Sequence, residues 1–319
     1  MSHFEKGHRR QRQYRKGHDF EKQKHIVGAK GQEATNVLSD DSPVLAAFKQ
    51  YAAELDTKHD KYEAIVKLGR DITIESKRII FLLHSADRES KKQSVLQEAE
   101  TRLRQLEVTQ FKAIAKQLLG EDPYQFLRAY TAGLQEYIEA LTFYYFIKIN
   151  DLQCWNHVQR NLVFCSDKEA EETKGCKENE ESKTEDSCND KDSAGDSSNT
   201  SHDKHICLVP QTEYILGVAD LTGELMRKCI NNVGLGYIES CFQTCAFVKD
   251  IYTGFLRIGN MGPKECTRKL YTLRQSLTKM ETACYTIHVR GSEIPKHMLA
   301  DVFSGTQDDF IHEEDEGFY

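Results

Sequence analysis

Glu136 and Glu139 stand alone in an otherwise apolar, helix-patterned stretch, YQFLRAYTAGLQEYIEALTFYYFIKIND, and Asp220 and Glu224 in a second, YILGVADLTGELMRKCINN. There is no other carboxylate between Asp122 and Asp151, and none besides this pair between Glu213 and Glu239. An ionised carboxylate removed from water without compensation is costly, so it protonates, pairs with a base or binds a metal. Spacings of three and four residues put each pair on one face of its helix. Two such helices packed together bring four carboxylates to one place. Read as having no base beside them, they would raise one another's pKa unless a cation intervened. An all-oxygen ligand set favours Mg²⁺, with Mn²⁺ as the alternative ion. The absence of histidine from either helix argues against a Glu-x-x-His di-iron site.

Carboxylate-held magnesium engages phosphate oxygens and activates water, so phosphodiester hydrolysis is the chemistry this set points to. Two other readings stand beside it. The acids can pair with arginines elsewhere in the fold or face solvent at a rim, or they can serve a nucleotide pyrophosphohydrolase, since small all-α enzymes of that class also use E-x-x-E with a second acidic helix. Gly133 and Gly217 lie one turn before Glu136 and Asp220. They either admit a substrate backbone or let helices pack closely, and close packing is the simpler reading.

The elements that must carry these residues read as helices throughout. All five prolines, at 43, 123, 210, 263 and 295, sit where a helix can begin, several after Ser, Asp or Glu. Apolar periodicity predicts helices over 43–84, with a bend near Gly69, then over 89–119, 123–150 and 152–163. After a gap, further helices are predicted over 210–233, 237–258, 263–289 and 295–303, with Gly120, Gly234, Gly259 and Gly291 at their ends. The fold class is therefore all-α, an antiparallel bundle of about seven helices with a very long first one. Residues 1–40 read as a disordered basic tail, 41–304 as one helical domain interrupted by a disordered acidic loop at 166–205, and 305–319 as an acidic tail. The loop contains no Ile, Leu, Val, Phe, Tyr, Trp or Met.

The net charge of -7 comes from that loop, which holds thirteen acids against six lysines. Residues 39–165 with 206–304 hold 28 bases and 27 acids. Such a neutral body lacks the basic stripe of a stand-alone nucleic-acid binder, so a partner is expected to help hold any strand. No apolar run approaches the ~18 residues of a membrane span, and the N-terminus has no signal-like apolar core. A soluble intracellular protein with ten free thiols is expected. Cys241 and Cys245 lack the company of a zinc site, and His202 and His205 belong to a polar tract. Arg70, Lys77 and Arg78 are expected to pair with Asp71 and Glu75 or across a subunit interface rather than to face RNA. The stripe Leu270, Leu273, Leu277, Met280 and Cys284 reads as core before oligomer seam. The basic run 8–16, HRRQRQYRK, reads as an import or RNA-tethering tail, or simply as a solvated end.

The runs HDKYEAIVKLGRDITIESKRIIFLLH (59–84), GLQEYIEA (133–140), YILGVADLTGELMRKCIN (214–231) and KLYTLRQSLTKMETACYTIHVRGSEIPKHMLADVF (269–303) resemble the translin family, on the branch that pairs with translin itself. The resemblance covers about 43–303 apart from the acidic loop. It implies an all-helical subunit of a closed hetero-octameric shell with translin, acting as its Mg²⁺-dependent endoribonuclease on single-stranded RNA, with single-stranded DNA as a further ligand. It also implies removal of passenger-strand fragments in RNA-silencing complexes, trimming of tRNA by-products, and residence in cytoplasm and nucleus. The family's catalytic acids fall on Glu136, Glu139, Asp220 and Glu224. On this reading Glu139 and Glu224 bridge the helices as metal ligands, while Glu136 and Asp220 bind metal or orient the attacking water. The acidic loop and the divergent ends depart from the family pattern.

Overall fold

A computed structural model describes residues 42–87, 89–165, 204–258 and 264–290. The tails, the short helix predicted at 295–303 and nearly all of the acidic loop lie outside the described residues. The chain divides into one unit ending at His59 and a second beginning at Asp60. Helix α1, Pro43–His84, begins in the first unit, where Val44, Phe48, Tyr51 and Leu55 are exposed. In the second unit its buried face is Ile65, Gly69, Ile72, Ser76, Ile79 and Leu83, alternating steps of four and three. That spacing produces a single seam along the helix.

The second unit continues with α2 (Glu89–Leu106), a π-helical turn (Glu107–Phe111) and α3 (Lys112–Gln117). These replace the single helix expected over 89–119. The wider turn leaves Phe111 buried with its ring 4.7 Å from that of Tyr137, while Glu107 accepts the Tyr137 hydroxyl at 2.5 Å. Helix α4, Pro123–Ile149, starts with Pro in its first turn and Asp122 accepting from the Tyr124 N–H, and ends at Asn150 in the left-handed conformation. A short α5, Trp155–Asn161, begins later than its expected start at Leu152.

Two three-residue strands, β1 (Val163–Cys165) and β2 (Lys204–Ile206), pair antiparallel with Phe164 opposite His205. Lys204 and His205, expected at the end of the disordered loop, are thus strand residues. The segment that follows is fastened to α4 and α5. Tyr130 donates to the Leu208 carbonyl, Trp155 Nε1 to that of Val209, and Gln159 bonds both Cys207 and Val209. This anchoring fixes where α6 starts.

Helices α6 (Gln211–Leu235), α7 (Ile238–Ile258) and α8 (Lys264–Arg290) follow with short connections. Helix α6 runs through Gly234, and its left-handed cap is Gly236 at φ 80°, whereas Gly120 takes that conformation as expected. Helix α6 packs against α4, α7 and α8, so it is the central element of the bundle. Leu273, Leu277, Met280 and Cys284 of α8 are core, as their periodicity suggests. All eight described cysteines are free thiols, and among the described residues no group of three or more His, Cys, Asp or Glu is gathered closely enough to hold a metal. No helix among them is long and apolar enough to cross a membrane.

Candidate active site

Glycines set how closely the three site-bearing helices approach. A Cβ on Gly133 would lie 2.5 Å from the Gly69 carbonyl oxygen, and one on Gly69 2.9 Å from that of Ala129, so α1 and α4 touch backbone to backbone. A Cβ on Gly217 would meet the Ile138 side chain at 2.8 Å and the Gln135 carbonyl oxygen at 3.0 Å, so α6 also lies close against α4. The space beside both glycines is filled by helix. Substrate approach at these positions is thereby replaced by close packing, and helix α1 is unbroken at Gly69.

The packing places Glu136 and Glu139 of α4 opposite Asp220 and Glu224 of α6. Glu139 is buried, and its carboxylate accepts no hydrogen bond from the described residues. Burial, reinforced by the charges of Asp220, Glu136 and Glu224, pushes its pKa up to about 8, against a smaller opposing pull from Lys269. The like-charge repulsion anticipated from spacing is therefore present, and it falls chiefly on this residue.

The other three acids have partners. Glu224 meets His84 Nε2 at 2.5 Å and Arg227 at 3.6 Å, and the His84 hydrogen bond holds its carboxyl below the usual range. Asp220 accepts from Lys269 Nζ at 2.5 Å, and the same ammonium donates to the Gln135 side chain and the Leu216 carbonyl at 3.1 Å each. Glu136 pairs with Lys77 at 3.2 Å. Lys77 thus serves the acidic cluster rather than its own helix, whereas Arg78 and Arg102 both hold Glu75. The His84 ring packs on Phe143 at 4.9 Å, which orients it toward Glu224. Arg227, one turn beyond Glu224, is a base that the sequence did offer beside the cluster. Lys269 and His84 are positioned only by the fold.

Chemically the donor set suits a hard cation. Four oxygen-bearing side chains lie on the facing stretches of α4 and α6, and the Glu139 carboxyl, its pKa pushed up to about 8, has no hydrogen-bond donor among the described residues. Lysine and histidine stand where a divalent ion would otherwise compensate, and they would have to yield to let carboxylate oxygens close around one.

Residues 60–291 match the Translin family. The chain belongs to that family. This translin-family chain is 46% identical over 270 residues to Translin-associated protein X of Rattus norvegicus, covering 83% of its own length and 86% of the relative's. It is 46% identical over 267 residues to the protein of that name in Pongo abelii, with 84% and 86% covered. A Schizosaccharomyces pombe homologue is 26% identical over 251 residues, with 77% and 88% covered. Among solved structures it is similar to apo-NeC3PO at TM-score 0.50 and 20% identity, over 76% of this chain and 97% of that one. It is equally similar, at TM-score 0.50 and 15% identity, to AfC3PO in complex with duplex RNA, over 80% of this chain and 97% of that one. At these identities the structural likeness speaks for the fold, which is translin-like and of the all-α class, with the one short strand pair.

Proposed function

We propose that this chain is the Mg²⁺-dependent endoribonuclease subunit of a hetero-octamer with translin, cleaving single-stranded RNA, and that it acts in passenger-strand removal and tRNA-fragment processing in cytoplasm and nucleus. Single-stranded DNA is a second ligand. The observation that carries the catalytic part is Glu139, a buried carboxylate facing three other acids with no hydrogen-bond donor of its own among the described residues. A fold that only needed to pack would have little use for that arrangement. Similarity to Translin-associated protein X supports the partnership, and a C3PO relative solved with duplex RNA supports a nucleic-acid ligand.

Glu139 and Glu224 would hold Mg²⁺ between α4 and α6, with Glu136 and Asp220 completing the set or orienting water. When bound, the ion supplies Lewis acidity to a phosphoryl oxygen and lowers the pKa of water. The chain's own groups do the rest. His84 keeps Glu224 ionised, Lys269 locates Asp220 between Gln135 and the Leu216 carbonyl, and the glycine contacts hold the two helices at fixed separation.

One observation favours a second reading, a non-catalytic partner-binding scaffold: Lys77, His84 and Lys269 satisfy three of the four acids within the chain itself. A pyrophosphohydrolase is the third. Incubating the purified chain, alone and co-assembled with translin, with single-stranded RNA or nucleoside triphosphates in Mg²⁺ separates them. EDTA-sensitive RNA cleavage by the assembly selects the endoribonuclease, while triphosphate turnover or inert RNA selects one of the others.

A further inference from the structure

Helices α6, α7 and α8 pack pairwise against one another and bring four cysteines together in the core. Cys229 comes from α6, Cys241 and Cys245 from α7, and Cys284 from α8, all as free thiols. The Cys241 Sγ lies 3.3 Å from both the Cys229 and the Tyr237 carbonyl oxygens, and the Cys229 Sγ lies 3.8 Å from the Cys241 carbonyl oxygen. Cys284 stands between Cys229 and Cys245, in hydrogen-bonding contact with both thiols.

Access divides the row. Cys229 and Cys241 are 0% exposed, whereas Cys245 and Cys284 reach 9% and 6%. About one turn from each of the latter, Lys249 and Glu281 form an exposed ion pair at 3.1 Å across α7 and α8. Cys245 and Cys284 are thus the end of the row nearest solvent. Hydrogen bonds from Cys229 and Cys245 favour the Cys284 thiolate and hold its pKa below the usual thiol range, outweighing burial. Burial pushes the Cys245 thiol up, so it keeps its proton. A thiolate is the form that reacts with an oxidant, and a neighbouring thiol is what converts the first product into a disulfide.

We propose that Cys284 and Cys245 are a peroxide-sensitive pair whose reversible disulfide clamps α7 to α8. The oxidant is hydrogen peroxide. Cys284 Sγ attacks one peroxide oxygen: an S–O bond forms, the O–O bond breaks, the sulfur is oxidised by two electrons, and the departing hydroxide takes a proton and leaves as water. Cys245 Sγ then attacks the sulfenic sulfur. The S–S bond forms, the S–O bond breaks, and the second hydroxide leaves as water with the Cys245 proton. A dithiol reductant reverses the bridge by exchange. Cys245 rather than Cys229 resolves the intermediate, because peroxide enters and water leaves on the solvent side of Cys284, while Cys229 is enclosed behind it with its thiol against the Cys241 carbonyl. Helix α8 also brings Lys269 to Asp220, so the clamp acts on an element that supports the acidic cluster.

The test exposes the full chain to stepped hydrogen peroxide, blocks the remaining thiols with N-ethylmaleimide and maps every cysteine by peptide mass. Cys245 and Cys284 are expected to lose their free thiols together, as one cross-linked peptide pair that dithiothreitol releases. Cys207, a thiol whose pKa is raised by burial alone, is the internal reference, and the pair should react at least about tenfold faster. In Cys245→Ser, Cys284 should accumulate as a sulfenic acid that dimedone labels, and in Cys284→Ser, Cys245 should stay reduced. The map of the unmutated chain decides the pairing even where a variant does not fold. A bridge from Cys284 to Cys229, or a Cys284 that oxidises no faster than Cys207, would overturn the proposal.

Discussion

Glu139 carries the largest electrostatic cost in the described site, and that cost has a sign that can be measured. Its folded pKa is raised to about 8 from 4.5, so the folded chain holds a proton that the unfolded chain releases. Stability without metal should therefore fall as pH rises from about 4.5 to about 8 and stay level beyond, by an amount on the order of a few kcal/mol. Glu139→Gln removes the penalty, so in EDTA at pH 9 the variant is expected to melt above the parent, with the gap closing toward pH 4. A lower midpoint at pH 9 would contradict this assignment. His84 is a positioning residue in the same scheme. His84→Ala in the co-assembly should lower Mg²⁺ affinity or activity roughly 10–100-fold, read from a Mg²⁺ titration of cleavage, because it removes the group that orients Glu224, a ligand in the proposed metal site. The four acids were legible in the sequence because each pair is isolated among apolar residues at helical spacing. Their partners were not. Lys269 is 49 residues from Asp220 and His84 is 140 from Glu224, separations at which no local pattern connects them.

At the scale of elements, the site depends on how closely α1, α4 and α6 approach. Gly133→Ala places a methyl against the Gly69 backbone, which cannot rotate away, and is expected to cost about 1–3 kcal/mol or more in denaturant unfolding. A neutral result would mean that the helices are not held at these glycines. Most helix boundaries were readable because proline marks starts and left-handed residues mark stops. Two features were not. The π turn at Glu107–Phe111 owes its register to Tyr137 and Phe111, a tertiary contact that periodicity does not encode. Strands of three residues are too short for alternation to declare itself, and their pairing joins residues about forty positions apart across a polar tract. Helix α6 ending at Gly236 rather than Gly234 is a smaller case: either glycine can cap, and the bond from the Gly236 N–H to the Val233 carbonyl decides.

For the whole molecule, the acidic segment carries the net charge and the remaining body is close to neutral. Such a body supplies limited long-range attraction for a polyanion, which fits the proposal of a subunit that cuts while its partners share in holding the strand. The most direct measurement is single-turnover cleavage of single-stranded RNA by the translin co-assembly in Mg²⁺, comparing the unmutated chain with Glu139→Gln and Glu224→Gln at matched assembly. The expected result is EDTA-sensitive cleavage by the first, loss of at least about 100-fold in each variant, and unchanged oligomer size. Cleavage that persists undiminished in both variants would contradict the assignment of these carboxylates as the cutting site.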